Sequence, residues 1–463
     1  MQNSQQDVQQ SWAKESHGQK HMNDSKRKYK PRSISGFPEL LPEERIVELR
    51  WLDTVRAAFE SYGFCSIETP SVEEIPVLAA KGGDVDKEIY ALHRLAGAAD
   101  DSESRVALHY DLTVPLARYV AQHFANLVFP FKRYQIQRVW RGERPQEGRF
   151  REFYQCDIDI IDNNAVSIHF DAELPEIVYQ ILQSLNIGGV SLNINNRKIL
   201  EGFYKGLGIE NTVPVIRVLD KLDKVGAAGV RDLLIETLNL PPPIAEKCLT
   251  LAGIRTADSS FVDKVRELNV QSTLLDEGLS ELDFVMTSVA QKHSGVIFAD
   301  LSIARGFDYY TGTVYEGKLV DFPNYPSICS GGRYDNLVGA FSGQKLPGVG
   351  ISIGLTRIFS KLLKEGLISL GPKGPTDVLV AYIPGETRSL MLETARILRS
   401  RGLKVEMYHE ERKMDAQLRY AARKGIPYVW FPSSGSRPHE VKNMAAGSQI
   451  AANPADWLPR EKG

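Results

Sequence analysis

Four cysteines in 463 residues, Cys65, Cys156, Cys248 and Cys329, stand far apart with no C-x-x-C pair. This scarcity argues against a disulfide framework and a cysteine zinc site, and it suits reduced thiols. The nine histidines form no H-x-x-x-H or similar ligand pair, which removes the usual helical metal motif. No run of about 18 uncharged apolar residues occurs, so no segment reads as a membrane span. The polar N-terminus also lacks the apolar core of a signal peptide, and the expectation is a soluble, cytoplasmic protein with no membrane partner. Nor is there an excess of base. With 56 Lys and Arg against 58 Asp and Glu, the formal charge is -2, which excludes a coat bound to nucleic acid by bulk charge. Any contact with a polyanion must be focused.

What is present is the composition of an ordinary globular chain, 43% hydrophobic and 25% charged, long enough for more than one domain. Residues 1–33 are rich in Gln, Ser, Lys and His, carry the basic run Lys26-Arg27-Lys28-Tyr29-Lys30, and read as a disordered extension. From Pro42 the apolar positions Ile46, Leu49, Leu52, Val55 and Phe59 recur at helical spacing until Gly63. Residues 64–69 then read as a short strand closed by Pro70 at a sheet edge. Residues 110–115 read as a strand and turn, with Asp111 and Thr113 at the same parity; alone, that pair is common turn and cap chemistry. Residues 211–294 form a run of helical segments, after which a strand pattern resumes at Val296. The linker Pro372-Lys373-Gly374-Pro375 divides a body at 34–371 from a final part at 376–463. In that part apolar runs at 378–381, 403–408 and 428–431 alternate with helical stretches closed by Gly402 and Gly425, the pattern of a βαβαβ unit.

Residues 133–161 read as a hairpin around which the rest is organised. Two runs of period two flank a polar loop, 142–148, containing Gly142, Pro145 and Gly148. In the first run Tyr134, Ile136 and Trp140 alternate with Arg133, Gln135, Gln137 and Arg141. In the second, Phe150, Tyr154, Cys156, Ile158 and Ile160 alternate with Arg149, Arg151, Phe153, Gln155, Asp157 and Asp159. One face is core; the other gathers arginine forks, amides, carboxylates and one ring, a set that suits a nucleotide and a zwitterion better than water.

Two glycine patterns nearby are decoys. Residues 312–318 fit G-x-x-x-x-G-K, but Leu319 replaces the required Ser or Thr, and the would-be loop is strand material. Gly348, Gly350 and Gly354 are spaced one residue too wide for the dinucleotide fingerprint and lack its βαβ frame.

The run Arg141-Gly142-Glu143-Arg144-Pro145-Gln146-Glu147-Gly148-Arg149-Phe150-Arg151-Glu152-Phe153 resembles motif 2 of the class II aminoacyl-tRNA synthetases. Arg305-Gly306-Phe307-Asp308-Tyr309-Tyr310 resembles the histidine motif of the histidyl-tRNA synthetases, and Gly331-Gly332-Arg333-Tyr334-Asp335 matches a second one. Residues 350–357 resemble motif 3, with Thr356 where glutamate is usual. Together, in this order, they cover the chain from about residue 35 onward.

The resemblance implies an α+β catalytic domain built on an antiparallel sheet, a helical insertion at about 211–294 and a C-terminal α/β anticodon-binding domain. It implies a histidine-tRNA ligase that uses ATP and Mg2+ to form histidyl-adenylate from L-histidine and passes the histidyl group to tRNA(His). Catalytic roles then fall to Arg141 and Arg305. Histidine would be held by Asp111, Thr113, Arg141, Gln155, Asp159, Arg305, Tyr309 and Tyr310. ATP would be held by Arg141, Glu143, Arg149, Phe153 and Arg357, with Arg144, Gln146 and Arg151 toward the tRNA acceptor end. No side chain is assigned to a metal. The helix from Pro42 and the strand before Pro70 resemble motif 1, which implies a homodimer. The second reading is the synthetase-like regulatory subunit of ATP phosphoribosyltransferase, which shares the catalytic fold; Arg305 and residues 374–463 count against it.

Overall fold

The computed structural model describes residues 30–79, 87–94, 104–289, 293, 295–303, 310–335, 345–383, 388–433 and 437–459. The extension expected at 1–33 lies outside these up to residue 29.

The first helix, Pro42–Ser61, starts where the sequence places it. Pro42 needs no N–H partner in the first turn, and the Glu44 carboxylate accepts the Leu41 N–H at 2.7 Å. It buries Val47, Glu48, Val55 and Phe59, whereas Leu49, expected on the apolar stripe, is 45% exposed. Beyond Gly63, at φ +77°, the chain enters β1 (Cys65–Ser66). Next comes a two-stranded ladder of β2 (Val72–Glu74) and β3 (Val106–Leu108). The strand expected at 110–115 is absent. There the Asp111 carboxylate accepts the Val114 N–H at 3.1 Å and opens a helix, Thr113–His123, whose early Pro115 again needs no donor.

The remaining strands of the body are β4 (Phe131–Trp140), β5 (Glu152–Ile161), β6 (Val190–Asn196), β7 (Arg255–Thr256), β8 (Ile297–Asp300), β9 (Tyr310–Leu319), β10 (Cys329–Tyr334) and β11 (Gly348–Ile353). With β1 they make one nine-stranded sheet in the order β1-β4-β5-β11-β10-β9-β6-β8-β7. The six strands from β4 to β6 in that order are antiparallel throughout; β1 and β8 join it in parallel. The hairpin at its centre therefore exists, but β5 begins at Glu152. Arg149, Phe150 and Arg151 belong to the connecting loop, where Gln146 and Arg149 bond to each other's backbone, so strand parity does not apply to them.

One face of this sheet is the main core. Ile158 and Ile160 of β5 and Ile351 of β11 pack with Val178 and Ile181 from the helix His169–Ser184, and the same cluster runs on through Ile199 and Phe203 to Leu279 and Leu282 of Thr273–Val289. Between β6 and β8 the chain is mainly helical, with Val213–Leu219, Leu222–Asp232, Pro242–Ala252 and Phe261–Arg266, and its short β7 attaches to the sheet edge.

After residue 375 a second sheet forms from β12 (Val378–Val380), β13 (Val405–Met407), β14 (Tyr428–Phe431), β15 (Glu440–Asn443) and β16 (Gln449–Ala451), in the order β13-β12-β14-β15-β16. The first three are parallel, with Arg388–Ser400 and Met414–Lys424 as the intervening helices; the second of these stops at Gly425 in the left-handed region, φ +72°. The antiparallel pair β15 and β16 was not legible in the sequence, because both strands are too short to show a period. No helix among the described residues is long and apolar enough to cross a membrane.

Candidate active site

The site face follows from strand register. Arg133 lies opposite Asp159, Gln135 opposite Asp157, and Gln137 opposite Gln155. Across the next strand Asp157 meets Ser352 and Asp159 meets Gly350, and beyond them Ser330 and Gly332 continue the rows. Directly opposed residues share a face. One side of the sheet therefore has a wall of polar side chains on β4 and β5 and a low floor of Gly and Ser on β11 and β10. The wall is not solvated: Arg133 and Gln135 are fully buried, and Asp157 is 3% exposed.

At the inner end, Arg133 Nη2 stands 2.5 Å from Asp159 Oδ2, and the Tyr334 hydroxyl donates to Asp159 Oδ1 at 3.0 Å. Gly350 is required here by close approach. A Cβ on it would lie 2.6 Å from the Ile158 carbonyl oxygen and closer still to the Asp159 carboxylate. Gln135 donates to Gln137 at 2.7 Å and Gln137 to the Thr69 carbonyl at 2.8 Å, while Gln155 donates to Ser352 Oγ at 2.7 Å. Several buried atoms on this face have no hydrogen-bond partner among the described residues, namely Oε1 of Gln135 and Gln155 and the Nε and Nη1 of Arg133. Groups of this kind are costly unless something satisfies them, which marks a place for a polar ligand. Burial raises the Asp157 carboxyl to about 7; Arg133 opposes the rise, and Asp159 and Asp111 add to it.

At the outer end the face opens into a cleft bordered by Arg141, Glu143, Arg149, Phe150, Phe153, Gln155 and Arg357. Arg141 donates from Nε to the Tyr110 carbonyl at 3.1 Å, and its guanidinium lies 5.1 Å from the Phe153 ring centre. Arg149 pairs with Glu143 at 3.2 Å. Arg357 is fixed by two carbonyls, Gly148 at 2.7 Å and Ser327. Burial, then the facing Arg141, push the Arg357 guanidinium below its ordinary range, although an arginine stays charged. Three cations held close with one carboxylate between them store repulsion that a polyanion relieves, and the adjacent rings suit a flat base. Gln155 borders this cleft and also belongs to the buried wall, so the two ends are continuous.

Residues 36–358 match the family model described as Histidyl-tRNA synthetase, and residues 377–431 match one described as Anticodon binding domain. The chain belongs to the histidyl-tRNA synthetase family. A histidine–tRNA ligase of Thermobifida fusca (strain YX) is 58% identical over 430 residues, covering 92% of this chain and 98% of that one. The crystal structure of histidyl-tRNA synthetase from Nostoc sp. PCC 7120 aligns with a TM-score of 0.82 at 39% identity over 91% of this chain and 97% of that chain. A structure titled as an ATP phosphoribosyltransferase regulatory subunit/histidyl-tRNA synthetase from Bacillus halodurans C aligns at 0.72 over 89% of this chain and 100% of that chain, with 20% identity, and speaks to the fold alone.

Of the positions expected from the histidyl-tRNA synthetase resemblance, Arg141, Glu143, Arg149, Phe153, Gln155 and Arg357 come together in the cleft. Asp159 does not border it and sits deeper, on Arg133 and Tyr334. Asp111 reaches the same wall from the turn before its helix, close enough for its charge to act on Asp157, while Thr113 is the half-buried first residue of that helix. Tyr310 begins β9 opposite Tyr334. Arg305 and Tyr309 lie outside the described residues. Arg144 and Gln146 are exposed on the loop; Arg151 instead braces it, donating to the Glu143 carbonyl at 3.2 Å.

Thr356 accepts the Tyr154 N–H at 2.9 Å, tying the motif 3 helix to β5. Arg133, Asp157, Ser352 and Tyr334 were not among the expected contacts, although hairpin parity had already put Arg133 and Asp157 on the polar face. Arg333, in the middle of a recognised motif, turns away from the cleft to Asp171, with Nε 3.0 Å from its carboxylate.

Proposed function

We propose that this chain is a histidine-tRNA ligase, activating L-histidine with ATP and transferring it to the 3′ end of tRNA(His). The observation that carries this reading is the continuity of one sheet face, from an arginine-lined, ring-bearing cleft through Gln155 to a buried acidic end. In the first step a histidine carboxylate oxygen attacks the α-phosphorus of ATP, the bond to the bridging oxygen breaks, and pyrophosphate leaves. In the second, the terminal ribose hydroxyl of the tRNA attacks the carbonyl carbon and AMP leaves. The first step joins two anions, so charge fixed in advance does most of the work.

Arg141 is assigned to the α-phosphate and the histidine carboxylate, with Arg305 facing it. Phe153 stacks on adenine, Glu143 steadies Arg149, and Arg149 and Arg357 hold the outer phosphates. Asp111, Thr113 and Gln155 receive the ammonium group, and Asp159 with Tyr309 and Tyr310 reads the imidazole. A pocket whose buried polar groups need an imidazole leaves them unpaired with other amino acids, which supplies rejection without editing. Arg144, Gln146 and Arg151 stand toward the tRNA acceptor end.

Mg2+, when bound, neutralises phosphate charge. Glu143 is the one carboxylate among the described residues bordering the cleft, so the ion would be held by Glu143 and by ATP itself. We assign the chain to the cytoplasm, where these substrates meet, and to a homodimer formed through the Pro42–Ser61 region, whose Leu41 and Leu49 are exposed.

The test is ATP–pyrophosphate exchange across a panel of amino acids. Histidine should stimulate exchange well above every other member. Failure to do so would overturn the assignment in favour of a non-catalytic relative, and a monomeric mass in light scattering would remove the homodimer.

A further inference from the structure

Among the described residues the buried wall holds more acid than base, with Asp111, Asp157 and Asp159 against Arg133. Asp157 lies on β5 between Gln155 and Asp159, with Gln135 opposite it on β4 and Ser352 opposite it on β11. Its neighbours in hydrogen-bonding range are the Ser352 hydroxyl and, at 3.5 Å, the Gln155 amide, neither of them charged. Among the described residues, the charged groups that face it are Arg133 from β4, Asp159 from its own strand and Asp111 from the turn before the Thr113–His123 helix. Opposite it on β11 stands no charge, only Ser352, with Gly350 beside that residue. Arg133 is 2.5 Å from Asp159, and its charge also acts on Asp157. Buried carboxylates crowded in this way do not all ionise; one keeps its proton.

We propose that Asp157 is the group that matches the charge of the pocket to its ligand, holding a proton in the ligand-free protein and releasing it when an α-ammonium enters. The carboxyl O–H bond breaks, the proton goes to solvent, and the carboxylate then stands opposite the ammonium; no covalent bond to the ligand forms. This rests on the reading of the wall as the histidine site. It adds a residue that selects for a cationic amino group, midway along β5 between the positions assigned to the two ends of histidine. It also gives binding a pH dependence of definite sign. Below the carboxyl's own titration the ligand must displace a proton, so affinity weakens by up to about tenfold per pH unit, and above it the dependence flattens.

Calorimetry of L-histidine binding to the full-length protein at neutral pH, in phosphate and in Tris, reads the proton directly from the difference in buffer ionisation heat. Wild type should release about half a proton per histidine bound, because a group titrating near 7 is half protonated there. Asp157→Asn should release almost none. Ser352→Ala removes a hydrogen bond that favours the carboxylate, so its release should rise toward one proton; this arm stands even if Asp157→Asn fails to fold. Equal release from wild type and Asp157→Asn, or histidine binding without release, overturns the proposal. If wild type neither binds histidine nor exchanges pyrophosphate with it, the site reading itself falls and takes this inference with it.

Discussion

Gly350→Ala should damage the inner end of the site with little freedom to recover. The added methyl carbon would sit 2.6 Å from the Ile158 carbonyl oxygen, which is backbone of the neighbouring strand, and closer still to the Asp159 carboxylate. A carboxylate can swing away; a paired strand cannot. If Asp159 moves, it abandons Arg133, which is 0% exposed and has Asp159 at 2.5 Å as its ion-pair partner. It also leaves the Tyr334 hydroxyl at 3.0 Å. Breaking a buried ion pair costs about 3–5 kcal/mol, and displacement without removal should recover part of that, so about 3 kcal/mol is the expected loss. Urea denaturation followed by tryptophan fluorescence, with histidine and ATP titrations in pyrophosphate exchange, measures both consequences. The denaturation midpoint should fall, the histidine KM should rise at least about tenfold, and the ATP KM should change much less. Gly371→Ala, with nothing within 4 Å of its added carbon, is the control and should be near neutral. A Gly350→Ala protein with wild-type midpoint and wild-type histidine KM would refute the packing argument.

Three further outcomes follow from the same geometry. Arg357→Ala removes a charge fixed by the Gly148 and Ser327 carbonyls, and at about 1.5–3 kcal/mol for charged hydrogen bonds the ATP KM should rise roughly 10–100-fold while the histidine KM moves far less; equal changes in both would contradict the role. Arg333→Met leaves Asp171 buried without its guanidinium, so the loss of about 3–5 kcal/mol should appear in the urea midpoint, and a variant with unchanged stability but impaired ATP binding would show that Arg333 serves the cleft after all. The Asp157 carboxyl titrates at about 7 when folded against an ordinary value of 3.8, so its contribution to stability is full below the ordinary value and is lost as pH rises through 7. Asp157→Asn should therefore gain stability relative to wild type, by a few kcal/mol at most, between about pH 5 and about pH 8; parallel urea midpoints across that range would refute the shift.

The hairpin shows how far local pattern reaches. Period-two alternation put Arg133, Gln135, Gln155, Asp157 and Asp159 on one face, and the register agrees, because side-chain direction along a strand is set by the backbone alone. The same rule failed at Arg149 to Arg151, where the chain is turning, and at residues 110–115, where the side chain of Asp111 and the early proline start a helix instead. The five strands after residue 375 divide the same way: three apolar runs were readable, while β15 and β16 owe their existence to pairing with β14 and with each other.

The sequence by itself determined which residue types could meet a nucleotide and an amino acid, and, through its motifs, the family. Only the tertiary structure decided that the polar face is buried, that glycines at the floor let Asp159 lie against β11, and that the arginines of the hairpin loop and of a distant helix share one cleft. Burial is a property of what packs across from a residue, and residues 133, 159, 334 and 350 become neighbours only when strands far apart in sequence align. Asp157 is the clearest case. Its position on the polar face follows from parity, but its retained proton depends on Arg133 being already engaged with Asp159 and on a strand that offers only Ser352 and Gly350 beside it.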